Sequence, residues 1–364
     1  QLYGVLKKHT EVFEVRKLLT ELLKDSVQKE VLLRKICTTE NVMQYFEYLM
    51  QLSEKEVTRV LIEGLPAKIN SLTEYLKDDY YALLPLYNFY FTRDACVTIG
   101  NNLLVCNMAN NVRARESHIV EAIFNNNKLF ESSIINANNF VGDGASSMNI
   151  EGGDFLMVNK GILLIGNGSR TSSQAIDSLI TQLCLNEKQR KHVIVQQLPH
   201  SPESFIHLDM VFTLLDNNTA MVYKPLILES TPYKTIHIQI DNGKVSKIST
   251  VSNIPTALKK LGVDIEPIIC GGKADEWDQE REQWHSGANF LSIAPGKVMS
   301  YSRNIHTLEE LNKNGFEITS AWDVINDKYD VNSTSKCVIT IDGSELPRGG
   351  GGARCMTMPL RRGN

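Results

Sequence analysis

The sequence lacks the residue spacings that hold structural zinc ions: it has no C-x-x-C pair and no paired cysteine–histidine motif. Its seven cysteines are odd in number and irregularly spaced, so a disulfide framework is not indicated. We expect most of them to be small buried hydrophobic residues in a reducing compartment. These observations predict a cytoplasmic protein with no metal ion and no other cofactor.

The sequence also lacks long apolar runs and an excess of positive charge. No apolar run approaches the roughly 20 residues of a membrane-spanning helix, and the first residues do not form the apolar core of a signal peptide. The net charge of -4 gives no reason to expect a nucleic-acid partner. With 364 residues, 42% hydrophobic and 22% charged, the chain can bury a substantial core. We therefore expect a soluble protein that binds neither membranes nor nucleic acids.

Residues 1–80 have the hydrophobic spacing of helices. Leucines recur at helical intervals from Leu18 to Leu23, and the same pattern continues further along the chain. Ser53 followed by Glu56 is typical of a helix start, because each side chain can bond the other residue's backbone N–H. This part of the chain is predicted to be a packed helical region, and we assign it no chemistry.

From residue 88 onwards a repeating pattern of short strands replaces the helical pattern. Four β-hairpins are predicted, at 96–106, 155–165, 210–223 and 290–301. Helical segments follow most of them, at 112–125, 172–185 and 307–314, and a further strand follows the helix, as at 191–195 and 337–340. The unit strand–strand–helix–strand predicts an α/β fold. If the units surround an axis, their equivalent strand ends converge on one central site.

Acidic residues stand at the same point of three repeats. Asp94, Asp154 and Asp209 each come just before the first strand of a hairpin, whereas the fourth repeat has 286–289 (SGAN) there. An aspartate at a strand end is often only a turn residue. Its recurrence in three copies favours a functional role.

One cysteine lies in an unusual sequence context. Four consecutive glycines, 349–352, precede Cys355, and Arg348 and Arg354 flank the run. Glycines let a ligand approach the backbone closely, and neighbouring cations can lower the pKa of a thiol. The pattern predicts either a reactive thiolate on a binding loop or a flexible tail with an incidental thiol.

A histidine and several carboxylates could serve this cysteine. If 205–209 is a strand, His207 and Asp209 point to the same face and could act as an acid/base and an anionic anchor. Glu151 and Asp154 surround a Gly-Gly turn, and Asp94 adds a further carboxylate. A pocket with several carboxylates, a histidine and a cysteine suggests a cationic substrate that a thiolate attacks, which describes guanidinium chemistry.

Five segments of the sequence resemble arginine deiminases of the guanidine-modifying superfamily: 91–94 (FTRD), 151–154 (EGGD), 207–212 (HLDMVF), 281–284 (REQW) and 354–359 (RCMTMP). The resemblance implies a fivefold pseudo-symmetric αβ propeller, the pentein fold, with a helical insertion. It divides the chain into a remnant of the first repeat at 1–17, the insertion at 18–82 and the catalytic domain at 83–364. The opening of the first repeat is expected to precede Gln1.

The resemblance also implies roles for individual residues. Cys355 would be the nucleophile and His207 the general acid/base, Asp94 and Asp209 would each hold the guanidinium by paired hydrogen bonds, and Glu151 would hold His207 and a guanidinium nitrogen. The residues expected to bind the rest of the substrate are Asn88, Phe91, Arg113, Arg170 and Gly352. The implied reaction is the hydrolysis of free L-arginine to citrulline and ammonia through a thiouronium intermediate. Relatives form dimers or larger assemblies, so a homo-oligomer is expected.

The glycine run departs from the family pattern. The family has an arginine where this chain has Gly350, and usually a proline where it has Ala353. We expect a more flexible loop and a more open pocket, with Arg348 as a possible substitute. Two alternatives therefore remain: a reaction on another guanidino compound, including amidino transfer to an amine, or a catalytically silent binding module.

Overall fold

The computed structural model describes residues 1–76, 80–127, 129–130, 132–140, 148–186 and 191–361. The α-helices in these ranges are α1 (Leu2–His9), α2 (Val15–Leu22), α3 (Ser26–Thr39), α4 (Phe46–Gln51), α5 (Glu54–Glu63), α6 (Leu72–Tyr75), α7 (Thr92–Ala95), α8 (Ala114–Asn126), α9 (Ser173–Asn186), α10 (Lys224–Ile227), α11 (Ile254–Lys260), α12 (Glu276–Trp284), α13 (Ile305–Lys313) and α14 (Ala321–Ile325).

The strands in the same ranges are β1 (Leu65–Pro66), β2 (Tyr81–Leu83), β3 (Cys96–Ile99), β4 (Asn102–Val105), β5 (Ser133–Asn136), β6 (Phe155–Asn159), β7 (Ile162–Asn167), β8 (Lys191–Gln197), β9 (Phe212–Leu214), β10 (Thr219–Val222), β11 (Thr235–Asp241), β12 (Lys244–Val251), β13 (Glu266–Ile269), β14 (Leu291–Ala294), β15 (Lys297–Tyr301), β16 (Glu317–Ser320) and β17 (Cys337–Ile341).

The N-terminal part of the chain is helical, as the leucine spacing predicts. Helix α5 begins with the expected reciprocal bonds: the Glu56 backbone N–H donates to the Ser53 hydroxyl at 3.4 Å, and the Ser53 N–H donates to the Glu56 carboxylate at 2.9 Å. The buried faces of α2, α3 and α5 share one hydrophobic core with the first two β-modules. The helical region is thus packed directly against the sheets that carry the site.

Four modules of the predicted type follow. In each, two antiparallel strands form a hairpin, and the second strand pairs in parallel with a third strand further along the chain. The triplets are β3–β4–β5, β6–β7–β8, β9–β10–β13 and β14–β15–β17. A parallel partner requires a crossover, which the chain makes through the helices that follow each hairpin. The fold class is therefore α/β, as predicted.

Two modules contain elements that the sequence analysis did not identify. The hairpin β11–β12 interrupts the third module and joins the sheet of the second, which has the order β12-β11-β8-β7-β6. After it, α11 begins at the Asn253 cap and completes the crossover to β13. In the fourth module β16 pairs in parallel with β17. The inserted hairpin separates α11 and β13 from the rest of their module, so the sequence analysis found the third hairpin but not the helix and strand that complete the unit.

One predicted strand is wrong. Residues 205–209 do not form a β-strand; Glu203–Phe205 and Leu208–Met210 are short 3₁₀ helices on either side of His207. The segment tightens because the Met210 N–H bonds the His207 carbonyl and the Val211 N–H bonds the Leu208 carbonyl. His207 and Asp209 therefore do not share a strand face, and what brings them to one site is the turn that leads into β9.

No helix in the part of the chain that the structure describes is long and apolar enough to cross a membrane.

Candidate active site

A cavity of about 350 Å³ lies where the starts of the modules meet. Eight of the ten predicted site residues line it: Asn88, Phe91, Asp94, Arg113, Glu151, Arg170, His207 and Cys355. The other two adjoin the nucleophile, because Asp209 Oδ2 is 3.9 Å from Cys355 Sγ and the Gly352 N–H bonds the same thiol. The structure thus brings together every residue that the sequence analysis selected.

The predicted convergence of strand starts explains this assembly. Asp94 lies in α7 just before β3, and Asp209 lies in the 3₁₀ turn before β9. Asp154 also precedes the first strand of its module, β6, but its role is structural. Its Oδ1 accepts a 2.9 Å hydrogen bond from the Leu208 N–H and so supports the His207 turn. Burial raises the pKa of Asp154 to about 7.

His207 is held between two carboxylates from different modules. Its Nε2 is 2.9 Å from Glu151 Oε2, and its Nδ1 is 3.8 Å from Asp94 Oδ1. Burial favours the neutral ring, but the charge of Asp94 and the bond to Glu151 outweigh it and raise the pKa of His207 to about 10. Gly153 makes room for the ring, because a β-carbon there would collide with the imidazole. At neutral pH His207 is therefore a proton donor.

The thiol of Cys355 does not have the lowered pKa that the flanking arginines suggested. Cys355 is only 2% exposed, and burial raises its pKa well above that of an ordinary thiol. Asp209 and Asp94 raise it further, while the Gly352 N–H and Arg354 lower it. In the free protein the sulfur is thus a neutral thiol surrounded by anions.

Asp94 and Asp209 each have one oxygen bound by an arginine. Arg113 donates to Asp94 Oδ2 at 2.8 Å, and Arg354 donates to Asp209 Oδ2 at 2.9 Å. The Oδ1 atoms of both aspartates are buried and have no hydrogen-bond partner among the described residues. As the site stands, each carboxylate offers a ligand one oxygen without a hydrogen-bond donor and a second lone pair on its arginine-bound oxygen.

The two arginines expected to bind the substrate's carboxylate lie in different surroundings. Arg113 is buried between Asp94 and Glu116, with both pairs at 2.8 Å, so it is not the exposed helix arginine that its position at the start of α8 alone would suggest. Burial raises the pKa of Glu116 to about 7 despite this pairing. Arg170 is less constrained: its side chain is 28% exposed, and Nη1 lies 3.7 Å from Glu151 Oε1.

The glycine run forms one wall of the cavity through Gly349 and Gly350. Gly350 ends the 3₁₀ helix Leu346–Gly349 in the left-handed region, with φ at +83°. Arg348, the suggested substitute for the missing arginine, is not part of the cavity wall; its side chain is 81% exposed and pairs with Glu345 at 3.0 Å. The mouth of the cavity therefore has no arginine from this loop.

Three residues at the site were not assigned a role from the sequence. Arg354 had been noted only as a flanking cation, and Glu116 lies one helical turn from Arg113, a spacing that could have suggested the pair. Asn289 contacts Cys355 Sγ at 3.2 Å. Its position in the repeat could have identified it as a site residue, since it precedes the first strand of the fourth module, where the other modules have aspartate.

Asp94, Glu151 and His207 also offer atoms that lie within 4.8 Å of one another, a spacing that could hold a metal ion. A metal ion there would have to displace the proton that the neighbouring carboxylates hold on His207. The three groups as they stand suit an organic cation that donates hydrogen bonds.

The chain is similar to known proteins over most of its length. The family model for arginine deiminase matches residues 1–362. The arginine deiminase of Listeria innocua is 33% identical, over 97% of this chain and 84% of its own length. That of Staphylococcus aureus is 34% identical, over 86% of this chain and 71% of its own length. The chain belongs to the arginine deiminase family.

Solved structures are more distantly similar to this chain. The substrate-bound N-terminal domain of ArgZ, an arginine dihydrolase from cyanobacteria, has a TM-score of 0.46 and 16% identity over 74% of each chain. A dimethylarginine dimethylaminohydrolase has a TM-score of 0.45 and 16% identity over 75% of this chain and 81% of its own.

Proposed function

We propose that this protein hydrolyses free L-arginine to L-citrulline and ammonia through a covalent intermediate on Cys355. The observation that carries the proposal is the pair of buried carboxylate oxygens, Asp94 Oδ1 and Asp209 Oδ1, which lack hydrogen-bond partners among the described residues. A buried carboxylate oxygen without a donor is unfavourable by about 1–3 kcal/mol or more. A planar cation with several N–H groups satisfies both oxygens at once.

The guanidinium also resolves the high pKa of the nucleophile. Asp209 and Asp94 are the two charges that raise the pKa of Cys355. The single positive charge of a bound guanidinium offsets part of this negative charge and lies beside the sulfur, so the thiol releases its proton to solvent when substrate binds. The thiolate then forms only when its target carbon is in place.

The reaction proceeds in two steps. Cys355 Sγ attacks the guanidinium carbon, protonated His207 gives its proton to the departing nitrogen, and the C–N bond breaks to release ammonia. The now neutral His207 takes a proton from water as the water oxygen attacks the thiouronium carbon. The C–S bond breaks, its electron pair returns to sulfur, the proton that remains on the new oxygen passes to the sulfur or to solvent, and citrulline is released.

The remaining pocket residues hold the amino-acid end of the substrate. Among the described residues, the carboxylate that pairs with Arg170 is Glu151, at 3.7 Å; this distance leaves Arg170 the more adaptable cation, and we assign it the principal contact with the α-carboxylate. Arg113 contributes charge while it orients Asp94. Asn88 and Phe91 line the cavity, where they would border the aliphatic chain.

A second candidate is the same chemistry on another guanidino compound. The observation that favours it is the cavity mouth, where Gly350 contributes no side chain and Arg348 pairs with Glu345 away from the cavity. A substrate with a different or larger tail would meet less resistance there. Amidino transfer would need an acceptor amine in this opening, and a silent binding module would leave the Cys355 chemistry unused.

The wider organisation is part of the proposal. We propose that the four modules belong to a fivefold pseudo-symmetric propeller, with 1–17 as a remnant of the first repeat, 18–82 as a helical insertion and 83–364 as the catalytic domain. The repeated triplet of strands supports this arrangement. The enzyme would work in the cytoplasm as a homo-oligomer, without a cofactor.

The test is the release of citrulline and ammonia from L-arginine by the wild-type chain, Cys355→Ala and Cys184→Ala. Cys184 is a partly buried thiol on α9 and serves as the matched control. We expect equal amounts of both products from the wild type and the control, and none from Cys355→Ala. A folded wild-type protein that leaves L-arginine unchanged but acts on agmatine or a methylated arginine would establish the second candidate instead.

A further inference from the structure

Asn289 is a fully buried side chain that contacts the sulfur of the nucleophile. It lies just before β14, where the fourth module would repeat the aspartates of the other three. Its amide bridges the Cys355 loop and the Asp209 turn. The fourth module therefore has an asparagine in place of aspartate at the position that contacts the reacting sulfur.

The orientation of this amide is determined by two backbone groups. The Arg354 N–H can only donate, and it lies 3.0 Å from Asn289 Oδ1. The Asp209 carbonyl can only accept, and it lies 3.2 Å from Asn289 Nδ2. The flipped amide would oppose both groups, so the NH₂ must face Cys355 Sγ, at 3.2 Å. One N–H serves the Asp209 carbonyl, and the other faces Cys355 Sγ, which is closer to the amide nitrogen than the Met210 thioether at 3.8 Å.

Gly352 supplies a second N–H and the space for the first. Its backbone N–H bonds the Cys355 sulfur. A β-carbon at Gly352 would lie 2.5 Å from Asn289 Oδ1 and 2.8 Å from Asn289 Cγ, which would push the amide away. Glycine at this position thus allows two neutral donors to reach one sulfur atom.

We propose that Asn289 is a catalytic residue that, together with the Gly352 N–H, stabilises the Cys355 thiolate by hydrogen bonding. This inference rests on the proposed function, in which the thiolate is the attacking group. An aspartate here would replace the donor by an acceptor and add a third carboxylate beside the sulfur, which explains why the fourth module has the amide. The same two N–H donors stabilise the negative charge that returns to sulfur when the thiouronium is hydrolysed.

The test is the pH dependence of Cys355 alkylation by iodoacetamide, measured without substrate on the tryptic peptide 355–361. Hydrogen bonds to charged groups correspond to about a 10- to 100-fold change in equilibrium. For Asn289→Ala we therefore expect the alkylation rate below the midpoint to fall about 10- to 100-fold, with the midpoint about one to two pH units higher. Asn289→Asp should raise the midpoint of Cys355 alkylation by at least as much as Asn289→Ala.

Asn304→Ala is the matched control, because Asn304 is another buried asparagine of the same module whose amide bonds the His285 carbonyl at 3.1 Å. It should alter thermal stability but leave the Cys355 midpoint unchanged. If Asn289→Ala does not fold, Gly352→Ala tests the same pair and should also raise the midpoint. An unmoved midpoint in a folded Asn289 or Gly352 variant overturns the inference.

The assay separates this inference from the proposed function because alkylation does not require arginine turnover. A raised midpoint in a protein that does not convert L-arginine would support the role of Asn289 and reject the substrate. Normal turnover of L-arginine by the wild type, with an unmoved Cys355 midpoint in Asn289→Ala, would support the proposed function and reject the role of Asn289.

Discussion

The bond between Glu151 and His207 gives the most informative single perturbation, Glu151→Gln. Glu151 accepts two hydrogen bonds: Oε2 accepts one from His207 Nε2, and Oε1 accepts one of 2.9 Å from the Ala109 N–H. A carboxylate can accept at both ends, but an amide has one oxygen. In the variant, either the Ala109 N–H loses its acceptor or an NH₂ group faces His207 Nε2.

In the second orientation the imidazole must give up its Nε2 proton. A bond between ionised groups corresponds to about 1.5–3 kcal/mol, which is about one to two pKa units. The pKa of His207, raised to about 10 in the wild type, should therefore fall by that amount; Asp94 and Asp154 still hold it above the ordinary value. With less imidazolium as proton donor, kcat at alkaline pH should fall about 10- to 100-fold.

The assay is the titration of the His207 ring by NMR in protein labelled at histidine, with His207→Asn used to assign the signal. The alkaline limb of the kcat profile is measured alongside. Glu121→Gln is the control, because Glu121 is a carboxylate on α8 that pairs with Lys35 instead. A His207 midpoint that is the same in Glu151→Gln and the wild type would refute the reasoning that this pair sets the protonation of the acid.

Three further predictions concern the same site. The pKa of Asp154 is raised to about 7, so its contribution to stability is fully present below about pH 4 and is lost as the pH rises through 7; in chemical denaturation, Asp154→Asn should show a smaller loss of unfolding free energy between pH 4 and 8 than the wild type, and an equal loss would contradict the assignment. Gly153→Ala places a methyl group against the His207 ring and should lower kcat about 100-fold with the fold intact by circular dichroism; near-normal kcat would show that the ring has room to move. Gly350→Arg restores an arginine at the mouth and should lower KM for L-arginine, although a side chain at φ +83° should also lower the melting temperature; Gly350→Ala supplies the strain without the guanidinium, and an equal KM in both variants would show that the mouth does not select the substrate.

The sequence was sufficient for the repeat and for the elements with strong local patterns. The four hairpins, the helices that follow three of them and the Ser53 capping box form where the patterns predict them. These features depend on residue spacing within a few positions, so they can be recognised from one segment at a time. The resemblance to arginine deiminases rested on short motifs in order along the chain, and the family match over residues 1–362 confirms it.

Elements interrupted by an insertion were harder to predict. Helix α11 belongs to the third module, but the hairpin β11–β12 stands between it and β10 and pairs with another module's sheet. The turn at His207 resembled a strand because its residues alternate in polarity, yet local hydrogen bonds across three residues bend it. Pairing with another module's sheet decided the position of the hairpin, whereas hydrogen bonds within the segment decided the turn at His207.

The charge states of the site depend on the tertiary structure alone. Two arginines flanking a glycine run suggested a low thiol pKa, but burial and the carboxylates of Asp94 and Asp209 give Cys355 a raised one. The single free oxygen of each aspartate and the amide of Asn289 beside the sulfur follow from distances between modules. The sequence alone determined which chemical groups the protein has and which local elements carry them. Only the tertiary structure decided which groups are charged and which atoms face the substrate, because burial and the approach of distant charges set both.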